Sequence, residues 1–180
     1  GSQIEGELTI LTNAMLFKGE RFEKLKKYVG RPLFFQVSLD GVTPAVNDRI
    51  RGEGCFEGTL EGIRMLQSLG FDPVITTAVT ASNHHEIPLI PKLAREMGCK
   101  RIHLMWVHRK GRMMEDSDQF SISTERVIEV LKKTKKEADA RDIEIDNFLS
   151  MQNRVNARPG VKHDLSSAGY STICVGYDGT

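Results

Sequence analysis

Phe34-Phe35-Gln36-Val37-Ser38-Leu39-Asp40-Gly41, followed by Asn47-Asp48-Arg49-Ile50-Arg51-Gly52, is the stretch around which the chain is organised. Phe34, Phe35, Val37 and Leu39 form an apolar run of the length expected for a strand covered on both faces. Ser38 and Asp40 alternate out of that run, so both point to one side at the strand's carboxyl end. Gly41 breaks the strand, and residues 47–52 read as a polar loop. In parallel α/β folds ligands bind beyond the carboxyl ends of the strands. A hydroxyl, a carboxylate and a guanidinium there suit a polar, zwitterionic small molecule. The plainer reading is that Ser38 and Asp40 cap the turn and Arg51 is a surface charge.

Outward from this stretch, strands and amphipathic helices alternate. Glu7–Asn13 reads as a strand, Glu20–Val29 as a short helix and Cys55–Leu69 as a helix with Phe56, Leu60, Ile63 and Leu66 on one face. Pro73–Val79 is a β-branched strand. Asn83 and Glu86 have the spacing of a capping box for a helix running to Met97, with Pro88 and Pro91 predicting a kink or a late start. Arg101–Val107 is a fourth strand, Thr124–Ala140 a helix and Ile143–Ile145 a short fifth strand. His108–Ser121 is a long polar loop, of a kind uncommon in compact domains unless it serves a site. This is α/β organisation in βα units. Periodicity does not separate a partial barrel from an open doubly wound sheet.

Composition excludes several classes. The 180 residues carry a net charge of +1, which gives no electrostatic case for a nucleic-acid or anionic-membrane partner. No apolar run reaches membrane-spanning length. Three scattered cysteines, Cys55, Cys99 and Cys174, fit neither a disulfide framework nor local metal-ligand spacing, and point to a reducing, cytoplasmic setting. His84 and His85 are adjacent, so on a helix they face apart and do not share a metal.

The string Ser38-Leu39-Asp40-Gly41, with Asn47-Asp48 and Arg51-Gly52 after it, resembles the "SLDG…HD-x-x-RG" pattern of radical S-adenosylmethionine (radical SAM) enzymes. Ser166-Ser167-Ala168-Gly169-Tyr170, with Asp178-Gly179, resembles the opening of the auxiliary iron–sulfur extension called SPASM, with serine where the first cysteine is usual. The resemblance implies a partial TIM-type (β/α) barrel fragment of four to five parallel strands with flanking helices, over residues 3–156, and the start of a SPASM-like extension over 157–180. It makes Ser38, Asp40 and Arg51 cofactor contacts, with Arg51 (or less favourably Arg49) clamping the cofactor's carboxylate. It adds Thr12 and Asn13, at a turn where the family has Thr-Asn-Gly and this chain has Ala14. It adds an inward threonine of the third strand, Thr76 or Thr77, with Thr77 preferred. Trp106, His108 and Arg112 become candidates for adenine or substrate contact, Arg112 being retained as a cofactor-binding residue.

Such enzymes hold a [4Fe–4S] cluster on a CxxxCxxC motif, which is absent from this sequence. They reductively cleave S-adenosylmethionine to a 5′-deoxyadenosyl radical that abstracts hydrogen, in this group from peptides or proteins. The expectation is therefore a piece of a longer enzyme, inactive by itself, with no metal ligands or catalytic residues of its own. Its first strand presents an edge suited to homodimer formation. The rival expectation is a non-enzymatic α/β binding or regulatory module with a degenerate barrel. An aldolase-like half barrel would call for a Schiff-base lysine or a glycine-rich phosphate loop, and neither is evident.

Overall fold

The computed structural model describes residues 7–106 and 120–149. The chain divides into two compact units, Gly1–Asp146 and Asn147–Thr180. Only the first is described in detail. Its elements are β1 (Leu8–Thr12), α1 (Glu20–Leu25), β2 (Leu33–Ser38), α2 (Pro44–Arg51), α3 (Cys55–Ser68), β3 (Val74–Val79), α4 (Ile90–Glu96), β4 (Arg101–Trp106), α5 (Thr124–Asp139) and β5 (Glu144–Ile145). Short 3-10 turns follow α1 at Lys26–Tyr28 and precede α4 at Ile87–Leu89.

The five strands are all parallel, in the order β1-β2-β3-β4-β5. This order settles what periodicity left open. A doubly wound sheet reverses its strand order at a switch point. Here each crossover moves one strand on, and right-handed crossovers in one direction stack every helix on the same face. The sheet is a segment of a (β/α) barrel.

Register defines its two faces. Phe35, Val37, Ile75, Ile102 and Leu104 lie on one face, each at 0–1% exposure, beneath Ile63 and Leu66 of α3, Ile90 of α4 and Val127 of α5. Phe35 anchors this layer, edge-on to Phe17 at 5.5 Å and to Phe71 at 5.0 Å. The opposite face carries Leu11, Gln36, Ser38, Thr76, Ala78, His103 and Met105, with Leu11 64% and Met105 44% exposed. The expectation of a second strand buried on both sides is thus corrected. Phe34, Gln36 and Ser38 are only half-buried, because no helix layer covers the inner face of a singly wound sheet.

Two further expectations change. The polar stretch expected as a loop at residues 47–52 is largely helical, because Thr43 caps α2 with Oγ1 accepting from Val46 N at 3.4 Å and Pro44 opens its first turn. Asn83 and Glu86 do not form a capping box. The helix starts late, at Ile90, as the prolines require, and both side chains serve the site instead.

Candidate functional site

The site is built at the carboxyl end of β2. The ladder continues one residue past the strand, with Leu39 N donating to Thr76 O at 2.9 Å. Asp40 then turns across the neighbouring strand. Its Oδ1 accepts from Ala78 N of β3 at 2.8 Å and its Oδ2 meets Arg51 Nη2 of α2 at 2.8 Å. The Asp40 side chain is 4% exposed and that of Arg51 26%. Burial pushes the Asp40 carboxyl above the ordinary carboxylate value, against the opposing pull of Arg51 and the Ala78 N–H.

Four side chains fix this corner. Asn47 Oδ1 accepts from Asp40 N at 2.9 Å, and Asn83 Nδ2 donates to Asp40 O and Ala78 O, both at 2.8 Å. Glu86, 7% exposed, accepts from Val42 N at 2.7 Å, Thr43 N at 3.3 Å and Thr43 Oγ1 at 2.7 Å. Asp48 accepts from Phe56 N at 2.7 Å and Gly54 N at 2.9 Å, tying α2 to α3. Gly41 is the residue this crowding permits. A Cβ there would lie 2.9 Å from both Asn47 N and Glu86 Oε2.

The two aspartates respond oppositely to pH. Burial pushes Asp48 up, but the Asn47 amide and the Phe56 and Gly54 N–H groups outweigh it and its carboxyl lies below the ordinary value. A depressed folded-state value gives stability that is present above the unfolded value and lost as pH falls through the folded one. Asp40, raised above 3.8, contributes stability that is complete below 3.8 and is lost as pH rises through its folded value. Asp48→Asn is therefore expected to flatten the loss of thermal stability below about pH 4, read as midpoint against pH. A variant with the wild-type acid limb would contradict the assignment.

The remaining site residues named from sequence lie as follows. Ser38 closes β2 on the open face, half-buried, beside Thr76 in register. Thr76, not the preferred Thr77, is the inward residue. Thr77 pairs with Leu104 on the helix-covered face and donates to Leu39 O at 2.7 Å. Thr76 is 3% exposed, and its Oγ1 finds no hydrogen-bond partner among the described residues, a condition that costs about 1–3 kcal/mol. Thr12 registers with Val37 on the helix side and accepts from Ala14 N at 3.0 Å, while Asn13 Oδ1 accepts from Met15 N at 3.3 Å. These two close the turn after β1. Ala14, where similar chains have glycine, holds φ 59, the left-handed conformation glycine takes freely. Arg49 is exposed. Arg112, His108 and residues 157–180 lie outside the described residues, as does the side chain of Trp106. His84 and His85 stand edge-on at 5.7 Å, and no group of three or more metal-ligating side chains occurs among the described residues. No helix among those residues is long and apolar enough to cross a membrane.

Sequence reasoning missed Glu86 and Asn83 as residues of this corner. The Thr43-Pro44 pair was a readable signal for α2, whereas nothing local announces that Glu86 reaches 44 residues back.

The sequence and the (β/α) barrel segment have counterparts among known proteins. The radical SAM superfamily model matches residues 2–90. The AdoMet-dependent heme synthase of Methanosarcina barkeri is 27% identical over 172 residues, covering 94% of this chain and 49% of that protein. The mycofactocin maturase MftC of Mycolicibacterium smegmatis is 36% identical over 64 residues, 35% of this chain and 16% of its own. Among solved structures, anSMEcpe with bound AdoMet and a Cp18Cys peptide gives a TM-score of 0.62 at 13% identity, over 84% of this chain and 43% of that one. Streptococcus suis SuiB bound to the precursor peptide SuiA gives 0.60 at 14% identity, over 77% and 30%. Over residues 2–90 the chain is similar to the radical SAM superfamily. It spans about half the length of the heme synthase it matches.

Proposed function

We propose that this chain is the central barrel portion of a cytoplasmic radical SAM enzyme of the SPASM-related group that modifies peptides or proteins, with 157–180 opening the SPASM-like extension. The reading draws on the superfamily match over residues 2–90, on the partial match to a mycofactocin maturase and on a fold shared with a structure solved with a bound precursor peptide. In the whole protein, S-adenosylmethionine with a reduced [4Fe–4S] cluster supplies hydrogen-atom abstraction. The task of the residues described here is to hold and orient the cofactor.

The donor set fits that task. Arg51 is anchored through Nη2 by Asp40, and its Nε has no acceptor among the described residues. The Arg51 side chain is 26% exposed, and a guanidinium held by an aspartate on one edge is oriented to meet a ligand carboxylate with its exposed N–H groups. This single observation carries the reading. Asp40 thereby orients Arg51, while Ser38 offers a hydroxyl on the open face. Thr12 and Asn13, in the turn after the neighbouring β1, and Arg112 complete the proposed cofactor set on the family resemblance.

The natural full-length protein, reconstituted with iron and sulfide and reduced with dithionite, is expected to release 5′-deoxyadenosine from S-adenosylmethionine. Arg51→Met is expected to weaken cofactor binding at least tenfold, consistent with a charge-assisted pair. Cluster-loaded protein without 5′-deoxyadenosine release would favour the rival binding module. Unchanged binding by Arg51→Met would remove the carboxylate clamp.

A further inference from the structure

We infer that a second binding site lies at the amino ends of the strands, away from the Asp40 corner, and that it takes a small planar aromatic anion. The inference stands apart from the proposed activity. A cavity of about 380 Å³ opens there between the start of β2 and the segment leading into β3. Its origin is a stagger between strands. β3 pairs with β2 only from Gln36 onward, opposite Val74, so Leu33, Phe34 and Phe35 have no strand beside them on that side among the described residues. The volume falls within the roughly 300–1,000 Å³ of small-molecule clefts.

Aromatic rings and arginines line the cavity together. Phe34 and Phe71 are half-buried, and Phe35 closes the floor edge-on to Phe71 at 5.0 Å. Ring surface left partly open in a cleft favours a planar apolar guest. Arg31, Arg101 and Asp72 complete the lining, two cations against one anion. Arg31 makes no side-chain hydrogen bond or ion pair among the described residues, and its guanidinium lies over the Tyr28 ring at 5.9 Å. Arg101 meets Asp72 Oδ2 at 3.9 Å, too long for a hydrogen bond, with the two side chains 32% and 44% exposed. Each arginine thus keeps its planar fork of N–H donors for an incoming carboxylate. Their backbones are fixed. Arg31 N donates to Tyr28 O at 3.1 Å and Arg31 O accepts from Leu33 N at 2.7 Å, while Arg101 opens β4 in register with Glu144 of β5. Gly30 and Gly70 leave the walls open, since a Cβ on either would meet nothing within 4 Å.

The test needs no turnover. 2-Naphthoate, titrated into this chain as a probe, is expected to shift the NMR signals of Phe34, Phe71 and Arg101 and to bind with a dissociation constant of about 1 mM or tighter. Neutral 2-naphthamide is expected to bind at least about fivefold more weakly, because it brings no charge to the arginines. Arg31→Gln and Arg101→Gln are each expected to weaken the naphthoate by about five- to tenfold. Asp72→Asn, which removes the one anion of the lining, is expected to tighten it about twofold. These side chains lie at the surface, so the variants keep the fold. Arg64→Gln, on the exposed side of α3, is expected to leave the affinity unchanged. No binding by 2-naphthoate, equal binding of acid and amide, native affinity in both arginine variants, an equal loss in Arg64→Gln, or shifts centred on Ser38 and Asp40 would each overturn the site. None of these measurements involves S-adenosylmethionine, so loss of this site and loss of the radical SAM reading are separable.

Discussion

Asp40→Ala is expected to destabilise the chain by about 3 kcal/mol, lowering the thermal midpoint by about 6–12 °C. The substitution leaves the Arg51 guanidinium without its counter-charge and the Ala78 N–H without its acceptor. Breaking a buried pair by removing one partner costs about 3–5 kcal/mol, and the lower end applies because Arg51 keeps 26% of its side chain exposed. Replacing both partners is a different matter. Burial raises the Asp40 carboxyl despite Arg51 beside it, so desolvation outweighs attraction and the pair is not a net source of stability. Asp40→Ala/Arg51→Met is therefore expected to recover at least half of the loss. Urea unfolding of the four proteins in this cycle measures the coupling. A cost below about 1 kcal/mol for Asp40→Ala would show a pair behaving like an exposed one, and the site would lose its anchored arginine.

Gly62→Ala is expected to be the other severe substitution, with a loss of about 2 kcal/mol or more although alanine improves helix propensity by about 1 kcal/mol. A Cβ on Gly62 would sit 2.4 Å from Ala14 O, 2.6 Å from Ala14 Cβ and 2.7 Å from Ala14 C. These are mostly backbone atoms of the turn after β1, which Thr59 Oγ1 holds to α3 through Asn13 O at 3.1 Å. The clash cannot be relieved by a side-chain rotation, so helix and turn must part. Gly58, one helical turn earlier, provides the control. A Cβ there meets Met15 Cε at 3.1 Å and Cγ at 3.3 Å, atoms of a flexible side chain. Gly58→Ala is expected to be neutral or to stabilise by up to about 1 kcal/mol. Equal effects at the two positions, measured by thermal unfolding, would mean that α3 does not rest on that turn.

The contrast between these two glycines illustrates what was legible. The apolar spacing of Phe56, Leu60, Ile63 and Leu66 announces α3 and its buried face, and all four are 0–6% exposed. The close approach of Gly62 to Ala14 depends on tertiary placement and leaves no mark in periodicity. In the same way Val74–Val79 declares a strand, but four of its first four residues are buried, so alternation does not say which threonine faces inward. Only the pairing of Thr76 with Ser38 and His103 decides it. The Ser38-Leu39-Asp40-Gly41 string marks the strand end at which Asp40 and Arg51 pair. It could not convey that Arg51 is already engaged by Asp40, nor that Glu86 and Asn83, from the segment after β3, hold the corner in place.

That last arrangement bears on how the molecule acquires its shape. The corner carrying Asp40 is held by the side chains of Asn83, which donates, and Glu86, which accepts, from 43 and 44 positions further along the chain. Closing a loop of that length is entropically costly and precedes any gain from its contacts. The strand can therefore pair while its tip is still unset, and the Asp40 corner becomes native only when the following βα unit has docked. The corner therefore matures after its own strand has paired, at the step in which the next βα unit docks.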